Sequence, residues 1–450
     1  MNNKLSSIKL TAYNIFTEAV KAADPYFCVK NFLEIKNDII CIDNKKYPLK
    51  EYDKVYIIGG GKASARMALA AEEILGSYIT GGWINTKDGH SIGLKRITVH
   101  ECSHPVPDER GIYGASEIID ILSESDKKSI VICLLSGGGS ALMPAPANGI
   151  TLSEKQEVTR LLLSCGADIS EINAVRKHLS VLKGGGMARL AYPAKLHVLI
   201  LSDVIGDKLD VIASGPAVVD TSDFNDCIDI CEKYGIVDSL PVGVLKRFRD
   251  GIKGVISETA KSSDSFLSCA ENTIIGNNRI SVETAAKKSV ESGYNTYILS
   301  TVFDGEASEL GKFYGAVASE IEKSGNPVKK PACIIGGGET TVTIKGKGKG
   351  GRNQEAALSA AVYLDSLNDT VFLSGGTDGT DGPTDAAGGI VDCGTVKAGS
   401  EKGLNIYRYL KNNDSYNFLK ETGGLLVTGP TGTNVMDIQI LLSGLPEKAL

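Results

Sequence analysis

Short apolar runs alternate with longer helical patterns along almost the whole of this 450-residue chain. The apolar runs predict strands at residues 55–58, 79–84, 130–135, 196–201, 273–275, 296–299, 332–335 and 370–373. Apolar residues spaced three and four apart predict helices at residues 63–75, 111–122, 153–163, 170–182, 306–321 and 354–364. Strand–helix alternation of this kind is typical of an α/β fold with largely parallel sheets and right-handed crossovers.

The length of the chain predicts more than one domain, because a domain usually has about 100–200 residues. The segment 227–248 is polar with a helical pattern, and a new strand–helix pattern begins near residue 272. We therefore predict an N-terminal domain over residues 1–240 and a C-terminal domain over residues 265–450.

The bulk properties narrow the classes of function. A formal net charge of −6 is not the electrostatic pattern of a protein that binds nucleic acid or an anionic membrane. No apolar stretch approaches the roughly 18 residues that a membrane span needs, and the first residues lack the apolar core of a signal peptide. The ten cysteines are scattered without a CxxC pair, which indicates reduced thiols and a cytoplasmic protein.

Glycines cluster directly after four of the predicted strands, and one further cluster (184–186) follows a helix. In open α/β sheets the carboxyl ends of the strands form the ligand crevice, and glycine lets backbone N–H groups approach an anion. Each cluster alone is explained equally well as a tight turn, but four at strand ends favour a site. The residues predicted to bind substrate or nucleotide there are Gly60, Gly61, Ser136, Gly137, Gly138, Gly139, Ser140, Gly376 and Thr377.

Two cationic residues stand between a glycine loop and a predicted helix, and both are candidate catalytic residues. Lys62 follows Gly59-Gly60-Gly61, where the unpaired N–H groups of a helix start favour phosphate or carboxylate. The pattern is not a Walker A loop, since Ala63 replaces the hydroxyl residue that binds magnesium. Arg352 follows Gly350-Gly351, and its guanidinium suits two-pronged binding of an anion. The preceding Lys/Gly repeat, 345–349, resembles either a mobile basic turn over a site or an exposed hairpin.

Acidic residues follow two of the predicted strands. Asp203 and Asp207 end a fully apolar strand, where packing does not explain carboxylates, and Asp378 and Asp381 lie in a glycine-rich turn. Such oxygen ligands suit Mg²⁺ that is also bound by substrate phosphates. The second turn is not an EF-hand, because Gly389 stands where the closing Glu belongs, and ordinary Asx turns explain it equally well.

A further basic group lies on and after the helix predicted at 170–182. Arg176 and Lys183 are candidates for contacting an anionic substrate, whereas Lys177 is interpreted as a solvated charge. His104, in a proline-rich loop, is either an acid/base group or structural, and no histidine has zinc-ligand spacing.

Several ordered blocks together resemble the glycerate 2-kinase family that ends in a MOFRL domain, also described as the tartrate-utilisation type. They are residues 59–64, 104–108, 135–142, 173–180, 202–207, 213–216, 350–355, 375–382 and 433–437. The resemblance runs from about residue 50 to the last strand. One departure is Gly59-Gly60-Gly61-Lys62, where the family often has Gly-Ala-Gly-Lys.

The resemblance implies ATP-dependent phosphorylation of D-glycerate at the 2-hydroxyl, giving 2-phosphoglycerate and ADP, with a divalent metal such as Mg²⁺. It implies a large N-terminal αβα doubly wound domain, a smaller C-terminal α/β domain and an active site in the cleft between them. The essential lysine and arginine of the family correspond to Lys62 and Arg352. Asp203 is the first choice for orienting the hydroxyl or binding metal. The expected partners are D-glycerate and ATP, and the sequence is compatible with a homodimer.

Two alternatives remain at this point. Gly346-x-Gly348-x-x-Gly351, with Asp365 further on, formally matches a dinucleotide fingerprint and would suit an NAD(P)H-dependent hydroxypyruvate reductase. A non-catalytic regulator that binds a sugar phosphate would keep the glycine loops without needing Asp203 and Asp207.

Overall fold

The computed structural model describes residues 2–446, and for residues 2 and 3 it describes the backbone alone. The described chain forms two compact units. The N-terminal unit comprises Pro25–Ser202 and Asp207–Ile275. The C-terminal unit comprises the residues up to Asp24, the short segment Asp203–Gly206 and the residues from Gly276 onward.

The strands are β1 Leu33–Lys36, β2 Ile39–Ile42, β3 Lys45–Pro48, β4 Lys54–Gly60, β5 Gly81–Lys87, β6 Thr98–Cys102, β7 Ser129–Leu135, β8 Lys195–Leu201, β9 Ala270–Gly276, β10 Asn295–Phe303, β11 Ala332–Gly338, β12 Thr370–Gly376, β13 Gly388–Asp392, β14 Leu425–Leu426 and β15 Asp437–Ser443. The helices are α1 Asn2–Ala22, α2 Pro25–Phe32, α3 Ser64–Leu75, α4 Glu109–Ser123, α5 Gly139–Leu142, α6 Leu152–Ser164, α7 Ile169–His178, α8 Gly186–Ala191, α9 Phe224–Lys233, α10 Val242–Ile252, α11 Asn278–Glu291, α12 Ala307–Ser324, α13 Arg352–Leu364, α14 Thr395–Glu401, α15 Ile406–Lys411 and α16 Ser415–Thr422.

The N-terminal unit contains a six-stranded sheet in the order β6-β5-β4-β7-β8-β9. β4, β5, β6, β7 and β8 pair in parallel. The mostly apolar, buried sequences of β4, β7 and β8 fit strands that are covered on both faces. When these six strands are renumbered 1 to 6 in chain order, beginning with β4, the sheet has the doubly wound order 3-2-1-4-5-6. The direction of winding reverses between strands 1 and 4 of this count, which are β4 and β7. The carboxyl ends of these two strands therefore define the expected ligand crevice of this unit.

Beside this sheet, the helices α6, α7, α9 and α10 build a second hydrophobic cluster from residues such as Val158, Val175, Phe224 and Phe248. An antiparallel three-stranded sheet, β1-β2-β3, completes the unit.

The C-terminal unit contains a six-stranded mixed sheet in the order β10-β11-β15-β12-β13-β14. β15 comes last in sequence but lies between β11 and β12 and runs antiparallel to both. Alternate side chains of the sheet point to opposite faces, as the period of two requires. Ile335 and Ile440 pack in the cluster with α1 and α11, whereas Ile334 and Leu441 pack in the cluster with α12 and α13.

The α/β class and the doubly wound N-terminal sheet agree with the sequence prediction, and each predicted strand overlaps an observed one. The expectation of largely parallel sheets is wrong for the C-terminal unit, where β10 and β11 form the parallel pair and the four other pairs are antiparallel. The predicted helix 170–182 ends earlier, at His178, because Ser180 forms a bridge with Pro146.

The division predicted at residues 240–265 also differs from the observed units. The N-terminal unit extends to Ile275, because β9 joins its sheet, and the segment Asp203–Gly206 groups with the C-terminal unit. Helix α1 belongs to the C-terminal unit, since Ile8, Ile15 and Phe16 are buried against the sheet of that unit. Among the described residues, no helix combines the length and the apolar character that crossing a membrane would require.

Candidate functional site

The glycine loops after β4 and β7 meet where the winding of the N-terminal sheet reverses. Lys62 N donates a hydrogen bond to Gly137 O at 2.9 Å, and Ala63 N donates to Ser136 Oγ at 3.0 Å. Gly61 has φ +151°, and a Cβ there would lie 2.1 Å from Ser136 Oγ, so only glycine fits this contact. The structure therefore brings two of the predicted glycine clusters together.

The side chains of Lys62 and His104 converge over Gly138. A Cβ at Gly138 would lie 2.8 Å from the His104 ring and 3.5 Å from Lys62 Cε, and Gly138 has φ +85°. Burial, followed by the charges of Lys62 and Lys87, lowers the pKa of His104 to about 4. The imidazole is therefore neutral near pH 7.

A cavity of about 600 Å³ opens beside these residues. Its cationic lining consists of Lys155 and Arg160 from α6, Arg176 from α7, and Lys183. Its lining also includes the His104–Pro107 loop, which Gln156 anchors by donating Nε2–H to Pro107 O at 2.8 Å. No aspartate or glutamate lines this cavity within the described part of the chain. We call it the cationic cavity.

Lys183 is held at the floor of the cationic cavity by a chain of hydrogen bonds. Its Nζ donates to Ser140 O at 2.8 Å and to Ser140 Oγ at 2.7 Å. Ser140 Oγ lies 3.2 Å from Ser214 Oγ, which donates to Asn173 Oδ1 at 3.1 Å. Burial and then the charges of Lys155 and Arg176 lower the pKa of Lys183 well below its ordinary value. The predicted residues Ser140, Arg176 and Lys183 are thus parts of one pocket.

Lys155 was not recognised from the sequence. Its side chain is buried, and among the described residues its Nζ has no hydrogen-bond partner. Burial, then the charges of Arg176 and Arg247, lower its pKa to about 7. The available signal was helical spacing: Lys155, Thr159 and Leu163 recur every fourth residue and all line the cavity.

The interpretation of Lys177 as a solvated charge is wrong. Lys177 is buried, and its Nζ lies 3.2 Å from Asp220 Oδ1 and 3.8 Å from Asp210 Oδ2. The neighbouring Arg176 lines the cavity instead, because successive residues of a helix point in different directions.

Asp203 and Asp207 lie half-buried in the turn after β8. Gly206 and Asp207 both have positive φ, +74° and +54°, so the chain bends sharply between the two carboxylates. Asp203 groups with the C-terminal unit and Asp207 with the N-terminal unit.

In the C-terminal unit, Arg352 opens helix α13 and is bound by two carboxylates. Its Nε and Nη2 donate to Asp437 at 2.6 and 2.9 Å, and its Nη1 lies 2.9 Å from Glu339 Oε1. Burial alone lowers the pKa of Arg352, but the hydrogen bond and charge of Asp437 and the charge of Glu339 raise it above its ordinary value. Burial raises the pKa of Asp437 despite its arginine partner.

The position of Asp437 follows from the sheet. It is the first residue of β15 and pairs with Gly338 at the end of β11 and with Gly376 at the end of β12. Both glycine clusters of this unit therefore flank the carboxylate that holds Arg352. Asp437 lies in a block that carried the resemblance, but no residue pattern distinguished it as a candidate site residue.

Two other predicted site residues of the C-terminal unit, Asp381 and Thr377, form hydrogen bonds within that unit. Asp381 is buried and accepts hydrogen bonds from Asn353 N at 3.1 Å and Gln354 N at 2.8 Å, so both of its oxygens cap the start of α13. Burial raises the pKa of Asp381 to about 7. Thr377 is buried and donates its hydroxyl to Met436 O at 2.7 Å, which ties β12 to the residue before β15.

Asp378 and Asp437 present carboxylates to the same small space. A Cβ at Gly376 would lie 3.4 Å from Asp378 Oδ1 and 3.5 Å from Asp437 Oδ1. Within residues 2–446, no group of three or more His, Cys, Asp or Glu side chains is gathered as a metal site.

The Lys/Gly repeat before Arg352 is not a hairpin strand in the structure. Asn413 Oδ1 accepts hydrogen bonds from Lys345 N and Gly346 N, at 2.7 and 3.0 Å, and Asp414 Oδ1 accepts one from Lys349 N at 2.9 Å. The dinucleotide fingerprint requires a tight turn that joins a strand directly to a helix. Here residues 339–351, an irregular segment, separate β11 from α13, which argues against the fingerprint.

Comparison with known proteins agrees with this architecture. The model of a domain of unknown function (DUF4147) matches residues 11–249, and that of the MOFRL family matches residues 332–437. The glycerate 2-kinase of Pyrococcus horikoshii is 46% identical, over 94% of this chain and 95% of that protein.

A crystal structure of glycerate kinase from Thermotoga maritima superimposes with a TM-score of 0.88 at 44% identity, covering 97% of this chain and all of that one. A protein of Agrobacterium vitis with the provisional name hydroxypyruvate reductase is 38% identical, over 96% of this chain and 93% of that protein. On these identities and their coverage, the chain belongs to the glycerate 2-kinase family.

Proposed function

We propose that this protein phosphorylates D-glycerate at the 2-hydroxyl with ATP, giving 2-phosphoglycerate and ADP. The observation that carries the proposal is the convergence of Lys62, two glycine loops and the cationic cavity where the N-terminal sheet reverses. Phosphoryl transfer requires positioning and charge neutralisation more than covalent chemistry. A cation-rich crevice suits an anionic acceptor and an anionic donor.

The catalytic roles follow from charge and position. Lys62 and Arg352 neutralise the negative charge of the transferring phosphoryl group and of the acceptor. The loops that contain Gly60, Gly61 and residues 136–140 supply backbone N–H groups. Because Asp437 and Glu339 bind Arg352 from two sides, we assign them the role of orienting its guanidinium.

A divalent metal such as Mg²⁺ would supply positive charge that neutralises the phosphates during transfer. Asp378 would hold such an ion, because its Oδ1 lies beside Gly376 together with Asp437 Oδ1. We therefore name Asp378 as a metal ligand in the C-terminal unit, with Asp203 and Asp207 as further candidates. Asp381, whose oxygens cap α13, is assigned to positioning Arg352.

The proposal includes a cytoplasmic location. It is supported by the cysteines, which are free thiols, with Cys28, Cys102, Cys133, Cys227, Cys231 and Cys333 buried. No step of the reaction as proposed requires a second copy of the chain.

A product-resolved assay tests the function. Purified protein is supplied with D-glycerate, ATP and Mg²⁺, and the product is identified with coupling enzymes specific for 2- or 3-phosphoglycerate. We expect 2-phosphoglycerate alone. A parallel reaction with hydroxypyruvate and NAD(P)H tests the reductase. Reduction without phosphorylation would favour the reductase, and absence of both activities would favour the non-catalytic regulator.

A further inference from the structure

The cationic cavity brings together more positive charge than the neighbouring protein groups neutralise. Lys155 Nζ is buried without a hydrogen-bond partner among the described residues, and Lys183 Nζ is bound by neutral oxygens of Ser140. Burying a charge without a counter-ion is costly. The arrangement is therefore stabilised when a small anion enters.

The cavity is also next to the proposed reaction centre. Its wall includes His104 and Gly138, and Lys62 Cε lies 3.5 Å from the position that a Cβ at Gly138 would occupy. An acceptor whose anionic end reached Lys155 would have its other end directed toward Lys62. The apolar part of the lining, which includes Pro105, Val106 and Leu163, would cover a carbon skeleton.

We propose that the cationic cavity is the carboxylate subsite for the acceptor, in which Lys155, Arg176 and Lys183 hold the carboxylate of a small hydroxy acid. This inference rests on the proposed kinase function for the identity of the acid. Lys155 is the specificity-determining residue, because its buried Nζ has no hydrogen-bond partner in the described part of the chain. Arg160, at the exposed end of the same helix face, attracts the anion to the cavity.

Direct binding measurements test the assignment without requiring turnover. Wild type, Lys155→Met and the matched control Lys253→Met, an exposed lysine outside the cavity, are titrated calorimetrically with D-glycerate, glycerol, inorganic phosphate and ATP. Lys155→Met should weaken D-glycerate binding by about ten- to a hundredfold, the usual effect of losing a hydrogen bond to a charged group. ATP binding should change by less than about twofold, and Lys253→Met should behave as wild type.

The probes separate the possible anions. Weaker ATP binding with unchanged D-glycerate binding would overturn the proposal in favour of a nucleotide phosphate subsite. Weaker phosphate binding with unchanged D-glycerate binding would overturn it in favour of a free phosphate site. Glycerol has the carbon skeleton without the carboxylate, so its binding should not depend on Lys155.

A pH series distinguishes carboxylate binding from a merely structural role. Arg176, Arg247, Lys183 and His104 are the charged or titratable groups that face Lys155 from the surrounding elements. Since the pKa of Lys155 is about 7 in the free protein, D-glycerate binding should take up a proton and weaken about tenfold per pH unit above 7. Lys155→Arg keeps its charge and should show a smaller pH slope than wild type, the remaining slope coming from Lys183, whose pKa is also lowered by burial.

An identical pH slope in wild type and Lys155→Arg would contradict the proposal. If Lys155→Met does not fold, as judged by circular dichroism, Lys155→Arg and Arg176→Gln still provide the comparison. The turnover assay of the wild type decides the proposed function, whereas the binding series decides the subsite. A failure of the proposed function and a failure of the subsite assignment are therefore distinguishable.

Discussion

Replacing Asp437 by Asn tests how the C-terminal unit holds Arg352. The substitution keeps the volume and leaves Oδ1 able to accept one of the two hydrogen bonds, at 2.6 or 2.9 Å, while the new amide faces the other N–H. The expected loss is one charge-assisted bond, about 2 kcal/mol. The melting temperature of this unit should fall by about 4–8 °C, since about 1 kcal/mol shifts a domain of this size by about 2–4 °C.

The same change should reduce activity. Arg352 would keep Glu339 as a partner but would no longer be fixed by a two-pronged contact. A misplacement of about 1 Å lowers rates by about a hundredfold, so kcat for D-glycerate phosphorylation should fall by about that factor. Differential scanning calorimetry measures the stability, and the coupled assay measures kcat.

Asp392→Asn is the matched control. Asp392 lies in the same sheet with a side chain 12% exposed, and it pairs with Lys9 at 2.7 Å, away from Arg352. The Asp392→Asn variant should have a lower melting temperature than wild type but an unchanged kcat. If Asp437→Asn lost stability but kept the wild-type kcat, the pair would be structural only. If Asp437→Asn had the melting temperature of wild type, the predicted loss of stability from one charge-assisted hydrogen bond would be refuted.

Three further changes test other parts of the structure. Lys62→Ala should lower kcat by about a thousandfold, the scale of losing one charge that stabilises the transition state, with an unchanged thermal melt; full activity would refute its role. Phe16→Ala removes a fully buried ring of α1 and should destabilise the C-terminal unit by about 3–5 kcal/mol in urea unfolding, whereas an unchanged midpoint would show that α1 does not stabilise this unit. Burial alone raises the pKa of Glu258, but hydrogen bonds from His178 and from Phe224 N lower it to about 2. A lowered pKa contributes stability that is present above the unfolded value near 4.5 and is lost as the pH falls toward 2. Glu258→Gln should therefore be less stable than wild type at pH 7, with a smaller difference at pH 3; an equal difference at both pH values would contradict this assignment.

Local sequence patterns predicted five of the six strands of the N-terminal sheet and three of the six strands of the C-terminal sheet, together with glycine loops at the ends of four of them; β6, β13, β14 and β15 were not predicted. After their first residues, Lys54 and Ser129, β4 and β7 have no charged residue because both faces are covered, and glycines end or follow each strand because the backbones there approach closely. Lys62 and Arg352 were found because each lies between such a loop and a helix start. These are properties of neighbouring residues, so the sequence alone carries them.

The same local patterns did not predict the direction or the order of the strands in the C-terminal sheet. β15 pairs antiparallel with β11 and β12, which precede it by a long stretch of chain. An apolar run predicts a strand but does not specify its partner, because long-range packing selects the pairing. Asp437 became part of the candidate site only through this pairing.

The sequence by itself determined the α/β class, the family and the two loops that carry Lys62 and Arg352. The tertiary structure decided which charges are buried and which are paired: Lys177 with Asp220, Arg352 with Asp437, and Lys155 with no partner among the described residues. The physical reason is that the energy of a charge depends on its burial and on the charges around it. Those neighbours come from elements far apart in the sequence, and only the folded chain brings them together.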